Sequence, residues 1–306
     1  MRFPVTVRLF ETEPGVRVLV HSQFPPGPPK AHAMIVHGLE GSSAAGYACS
    51  LAQALLETGY AAHRFNMRSC GGTERHSGRT LYHSGQTGDL LEVIRQLRQG
   101  EDIPFIIIGF SLGGNVVLKL AGELGESATN EGIEAACAIS APIDLAACVR
   151  RLDRRENRLY ANRFVKRLKQ RIVAKERLTP GLFPVGRLAE VRNVHDFDDI
   201  FTAPSFGFGT ADNYYATQSS ARFLDRIRIP TLFVQAKDDP LIPFAVFDQP
   251  AFTTNPHLRL IAPDYGGHVG FIARSRHRFW VDRVIVEWME QVRAGMRYPL
   301  QGSLTT

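Results

Sequence analysis

Between Phe105 and Asn115 the chain reads Phe-Ile-Ile-Ile-Gly-Phe-Ser-Leu-Gly-Gly-Asn, an apolar strand that runs straight into Gly-x-Ser-x-Gly. A strand that turns abruptly into a helix brings the backbone close to itself, and the glycines at 109 and 113 remove the side chains that would collide there. Ser111 then stands exposed at the turn. The run that follows, Asn115-Val-Val-Leu-Lys-Leu-Ala, has helical character, so the backbone N–H of Leu112 sits at a helix start, free to bind a developing oxyanion. Gly-x-Ser-x-Gly alone is a common string. The strand before it and the helix after it carry the specificity.

The rest of the chain supplies a sheet for such a turn to stand on. From Ala31 onward, short apolar runs alternate with helical segments in the rhythm of β-α units on a mostly parallel sheet. Ala31–Val36, Ala61–Phe65, Phe105–Ile108, Ala135–Ile139, Thr231–Gln235 and Leu258–Ile261 read as strands. Tyr47–Glu57, Asp89–Gln99, Val116–Leu124 and His277–Val292 place apolar residues at helical spacing. Pro4–Phe10 and Val16–His21 read as an antiparallel pair turning at Glu13-Pro14-Gly15. With 306 residues, 44% of them hydrophobic, the chain can bury a full core. The expectation is one α/β domain over residues 1–296, with a C-terminal tail at 297–306.

The rhythm breaks between about Pro142 and Asn213. A structureless loop of that length is uncommon in a compact domain, so a helical cap insertion is expected over about 143–212. Tyr160, Phe164, Leu168 and Ile172 fall four apart and give one helix there an apolar stripe. Charge concentrates in the same stretch: Arg150 to Arg192 holds fourteen Arg or Lys against four Asp or Glu, although the whole chain is only +6. Such a block suits a solvated helix face, an anionic membrane surface met by Arg163, Lys166, Arg167 and Lys169, or an acidic ligand. No nucleic-acid-binding module accompanies it, so no nucleic-acid partner is expected. The N-terminus lacks a signal-peptide apolar core, and Cys49, Cys70, Cys137 and Cys148 form no Cys-x-x-Cys pair. Both observations lead to an expectation of a cytoplasmic protein with reduced thiols and no metal site.

A serine hydroxyl becomes a useful nucleophile when an imidazole accepts its proton and a carboxylate holds the imidazole in the right tautomer. Thr231-Leu-Phe-Val-Gln-Ala-Lys-Asp-Asp-Pro ends a buried-type strand in Asp238 and Asp239, and Ala262-Pro-Asp-Tyr-Gly-Gly-His-Val-Gly-Phe presents His268 on a glycine-rich loop. Either aspartate can be the acid. The aspartate that is not the acid would be structural, capping the turn through its carboxylate. None of the other histidines shares such a loop or forms a His-Glu-x-x-His pattern. His37-Gly-Leu-Glu-Gly-Ser-Ser follows the strand Ala31–Val36 and places the N–H of Leu39 as the second oxyanion donor. Gly207-Phe-Gly-Thr-Ala-Asp follows no strand and lacks a third glycine, so it reads as a connector.

Taken with Asn66-Met-Arg-Ser-Cys-Gly-Gly, Tyr82-His-Ser-Gly, Asp238-Asp-Pro and Gly266-Gly-His-Val-Gly-Phe, these motifs resemble the α/β hydrolases, and specifically their YheT-like esterase branch, over nearly the whole chain. The resemblance implies an eight-stranded, mostly parallel sheet with a helical insertion after the sixth strand. It also implies a triad of Ser111, Asp239 and His268, and hydrolysis of small-molecule or lipid esters without a cofactor. Ser69 departs from it, since many relatives carry glycine there. An acyltransferase or thioesterase would use the same three residues, and a ligand-binding receptor could keep the fold without turnover. Asn66 and Arg68 are read as loop-holding residues, and Ser84 or Thr87 as a helix cap.

Overall fold

In a computed structural model describing residues 3–99, 102–273 and 278–295, the apolar runs become strands β1 (Thr6–Glu13), β2 (Val16–Gln23), β3 (His32–Val36), β4 (Ala61–Asn66), β5 (Phe105–Phe110), β6 (Ile133–Ile139), β7 (Thr231–Val234) and β8 (Leu258–Ile261). They form one sheet in the order β1-β2-β4-β3-β5-β6-β7-β8. β1 pairs antiparallel with β2 and β2 with β4, while every pairing from β4 to β8 is parallel. The eight-stranded, mostly parallel sheet implied by the resemblance to the α/β hydrolases is therefore present.

Both faces of the sheet are covered, which is why the central strand β5 is apolar throughout rather than alternating. Along β5, Ile106, Ile108 and Phe110 join one core with α1 (Gly46–Glu57), whereas Phe105 and Ile107 join the other with α2 (Gly88–Leu97) and α3 (Leu112–Leu124). The period of two follows from the pleat. Burying each such side chain contributes roughly 1.5–3 kcal/mol before chain entropy is counted.

Between β6 and β7 the chain makes α4 (Leu145–Leu152), α5 (Arg158–Leu178), α6 (Val194–Phe197), α7 (Ala203–Ser205) and α8 (Ala211–Gln218), with a π turn at Asp198–Thr202 joining α6 to α7. Asp144 caps α4 by accepting the Ala147 N–H at 2.9 Å. The short α9 (Ala251–Thr254) precedes β8, and α10 (Trp280–Arg293) packs beside α1.

Two local expectations change. The buried stripe of α5 is Val165, Leu168, Ile172 and Lys175, whereas Tyr160 is exposed, because the first turn of α5 has no core beneath it. The Lys175 ammonium substitutes for an apolar side chain by donating to the carbonyls of Glu74 and Gly78 and to Ser77 Oγ. Thr87 occupies the N-cap position of α2 without a side-chain cap bond, and its hydroxyl donates instead to Glu123 across to α3. The start expected for the last helix at His277 and the tail at 297–306 lie outside the described residues.

Candidate active site

The site lies where β5 passes into α3. Ser111 has φ 52° and ψ −122°, a conformation that a non-glycine residue holds only when its surroundings impose it. They do so here. A Cβ on Gly109 would sit 2.1 Å from the Gly113 carbonyl oxygen, and one on Gly113 would sit 2.5 Å from that of Val36, so only glycine fits on either side of the turn. The Ser111 N–H donates to Ile139 O at 2.8 Å, tying the turn to β6.

Ser111 Oγ lies 2.9 Å from His268 Nε2, and His268 Nδ1 lies 2.9 Å from Asp239 Oδ2. A carboxylate only accepts, so Nδ1 carries the proton and Nε2 is left to accept from the serine hydroxyl. Asp239 is fully buried and otherwise committed: its Oδ1 accepts the N–H groups of Leu241 and Ile242 at 2.8 and 3.1 Å, and Gln235 Nε2 donates to Oδ2 at 3.1 Å. Asp238, the competing aspartate, faces elsewhere. Its Oδ1 accepts from Gly266 and Gly267 at 2.9 and 2.8 Å, fastening the loop that carries His268. On the far side of that loop, Ser140 Oγ donates to the His268 carbonyl oxygen.

The loop after β3 arrives against Ser111, close enough that a Cβ on Gly38 would meet Ser111 Cβ at 3.0 Å. His37 is wholly buried, and burial pushes its pKa down to about 4. Its Nε2 accepts the Met67 N–H at 3.2 Å, so Nδ1 is protonated and donates to Gly38 O at 2.8 Å. The Gly41 N–H reaches the same carbonyl at 3.0 Å. Gly38 O and the Leu39 N–H belong to one planar trans peptide and point opposite ways, so holding the carbonyl aims the N–H. Leu112 is the first residue of α3, where an N–H has no intrahelical acceptor. Leu39 and Leu112 both line the cavity above Ser111.

That cavity measures about 910 Å³ including its open mouth. Its walls are mostly apolar, with Leu145, Leu152, Phe164, Leu168 and Phe197 contributed by the helices between β6 and β7. Asp198 is a polar exception. Desolvation pushes its pKa up to about 6, and Tyr215 donates to it at 2.7 Å.

The sequence reading singled out Ser111, Asp239, His268, Leu39 and Leu112, and the fold gathers all five at one place. Asn66 and Arg68 hold loops: Asn66 bridges the Ser43 N–H and the Leu19 carbonyl, and Arg68 pairs with Asp89 and Glu13. Ser69 sits at φ 59°, which accounts for glycine being suited to that position; here its hydroxyl bonds to Ser77 Oγ and Thr80 O instead. Sequence reasoning passed over Ser140 and the pair Glu40–Arg171, because each meets its partner through a long-range contact that leaves no local pattern, and over Gln235, whose bond to Asp239 spans only four residues but belongs to no recognised motif.

A strand-turn-helix serine within reach of a histidine and a buried aspartate, on a mostly parallel eight-stranded sheet, defines a class. The chain belongs to the alpha/beta hydrolase fold family, which it matches over residues 34–275. Within that family it falls in the branch of YheT of Escherichia coli strain K12, which carries an esterase name; the two are 33% identical over 265 residues, covering 85% of this chain and 76% of that protein. The phospholipase ABHD3 of Mus musculus is 29% identical over 261 residues, covering 84% of this chain and 62% of the relative, so the chain spans less than two thirds of that protein. Among solved structures, the esterase Pf2001 of Pyrococcus furiosus superposes with a TM-score of 0.60 at 16% identity, covering 96% of this chain and 92% of the other, a likeness of fold.

Proposed function

We propose that this hydrolase of ester bonds works through an acyl-Ser111 intermediate and takes lipid or medium-chain acyl esters as substrate. His268 removes the Ser111 proton as Oγ attacks the ester carbonyl, then returns it to the leaving alcohol. Water, deprotonated by the same imidazole, releases the acid and restores Ser111. Asp239 holds the Nδ1–H tautomer and stabilises the imidazolium, and the N–H groups of Leu39 and Leu112 take the oxyanion of each tetrahedral intermediate. The observation that carries the reading is the Asp239–His268–Ser111 hydrogen-bonded chain at the floor of an apolar cavity. The phospholipase name of one relative supports the lipid part.

Each methylene an acyl chain buries in that cavity contributes about 0.8 kcal/mol, so kcat/KM should climb from acetyl to medium-chain esters and level off once the walls are covered. The test is a chain-length series of aryl esters combined with fluorophosphonate labelling and mapping of the modified residue. Steady turnover without label on Ser111 overturns the mechanism. Acyl esters of an added alcohol, formed in preference to free acid, assign the chain to acyl transfer instead.

The first half of α5 supports a further part of the reading, contact with anionic lipid surfaces. Leu159 is 84% exposed and Tyr160 48%, with Arg155, Arg158, Arg163 and Lys166 exposed around them. Apolar side chains ringed by cations suit an interfacial helix.

A further inference from the structure

Glu40 follows the proposed oxyanion donor Leu39 directly, and every polar group it has is engaged. Its N–H donates to the Tyr82 hydroxyl oxygen at 2.9 Å, and that hydroxyl donates to Glu40 Oε1 at 3.0 Å. The carboxylate, 5% exposed, accepts two parallel bonds from Arg171 of α5, Nε to Oε1 at 2.7 Å and Nη2 to Oε2 at 2.9 Å. The Glu40 carbonyl accepts from Arg167, one turn earlier on α5, at 3.2 Å. The Arg171 guanidinium also lies 5.3 Å from the centre of the Tyr82 ring. Glu40 itself is held at φ 55°, in the left-handed region.

We propose that the Glu40–Arg171 pair is a positioning device through which helix α5 sets the oxyanion donor Leu39. The inference rests on the acyl-serine reading above. His37 and Gly41 hold the Gly38 carbonyl at one end of the Gly38–Leu39–Glu40 turn, and α5 holds Glu40 at the other. A planar guanidinium that meets a carboxylate through two bonds fixes orientation as well as distance, which a single contact does not. The strained backbone at Glu40 persists only because it is held from several sides. Losing the α5 anchor lets the turn relax toward an ordinary conformation, and the Leu39 N–H swings with it. The same helix that walls the substrate cavity therefore completes the oxyanion hole.

The test compares Arg171→Met, Arg171→Lys and the double variant Glu40→Gln with Arg171→Met, using a short soluble aryl ester so that the cavity wall contributes little. Readouts are kcat, KM, thermal midpoint, affinity for an alkylboronic acid that forms a tetrahedral adduct on serine, and fluorophosphonate labelling. In Arg171→Met, kcat falls about ten- to hundredfold, the cost of misplacing one oxyanion donor. KM stays near wild type, and boronate affinity weakens in step with kcat. Arg171→Lys, which keeps the charge without the fork, falls in between. The double variant leaves no buried unpaired carboxylate, so its thermal midpoint returns toward wild type while kcat remains low. A purely structural pair behaves otherwise: kcat recovers along with stability in the double variant, and that result overturns the proposal. Wild-type kcat in folded, labelled Arg171→Met overturns it too. Failure of the wild-type protein to label at Ser111 overturns the acyl-serine reading itself, and is read before any variant is compared.

Discussion

Two aspartates one residue apart have different work because their carboxylates face opposite ways. Asp239 points inward to His268 and is surrounded by donors, whereas Asp238 points at the backbone of Gly266 and Gly267. Asp239→Asn presents an amide to Nδ1 and favours the wrong imidazole tautomer, a change that costs on the order of ten-thousandfold in kcat in a comparable triad. Asp238→Asn keeps an acceptor oxygen for the two glycine N–H groups, so its loss should stay within about tenfold. Steady-state kinetics of the two variants decide, and a reversed order sinks the assignment. Ser111→Ala removes the oxygen proposed to attack the ester from a turn that already tolerates its strain. Covalent labelling should vanish and turnover fall at least about a thousandfold with an unchanged circular dichroism spectrum. Undiminished turnover in the folded variant would remove Ser111 from the mechanism. These residues were legible because each sits on a loop whose flanking glycines, proline or strand end mark it locally. Glu40 and Arg171, 131 positions apart, had no such mark, and only the folded α5 joins them.

Helix α5 carries two faces whose functions its sequence mixes together. The four-residue spacing of Tyr160, Phe164, Leu168 and Ile172 announced an amphipathic helix, but composition could not say which cations turn inward. Arg171 and Lys175 do, one to Glu40 and one to backbone carbonyls, so part of the local positive excess is internal. Arg167 is exposed yet engaged with the Glu40 carbonyl. A test of lipid contact must therefore leave these three in place and use Arg158, Arg163 and Lys166, which are exposed. Each basic residue near an anionic surface contributes about 1 kcal/mol, and the attraction fades as salt shortens a screening length of roughly 10 Å at 0.1 M. Co-sedimentation with phosphatidylserine vesicles should weaken when the three become Gln and again in high salt, while hydrolysis of a small soluble ester stays near wild type. Protein that ignores these vesicles at low salt has only a solvated helix face there.

At the scale of the whole molecule, a mostly parallel sheet of β-α units followed from alternating apolar runs, but nothing in those runs indicated how many histidines the core would take in. His63 on β4 bonds Ser22 on β2 and His32 on β3, a polar line across three neighbouring strands, while His37 and His83 are buried near the cavity. Burial disfavours the charged ring and lowers His32 and His37 to about 4, and His63 and His83 to about 3. In the unfolded chain all four protonate near pH 6.5, so below that pH the unfolded state binds more protons and stability falls as pH falls, down to about pH 4. Two carboxyls oppose this trend: burial raises Asp198 and Asp282 to about 6, so the folded state takes up protons there first. Burial also lowers His21 and His257 and raises Asp153, so the lowered histidines outnumber the raised carboxyls and the balance favours the unfolded chain as pH falls below about 6. Urea unfolding at closely spaced pH values should give a midpoint nearly level above pH 7 that drops steeply below about 6. A midpoint that holds steady or rises between pH 6 and 4.5 would mean that the histidine line is already charged in the native protein, and that the core around β2, β4 and β3 is wetter than its packing indicates.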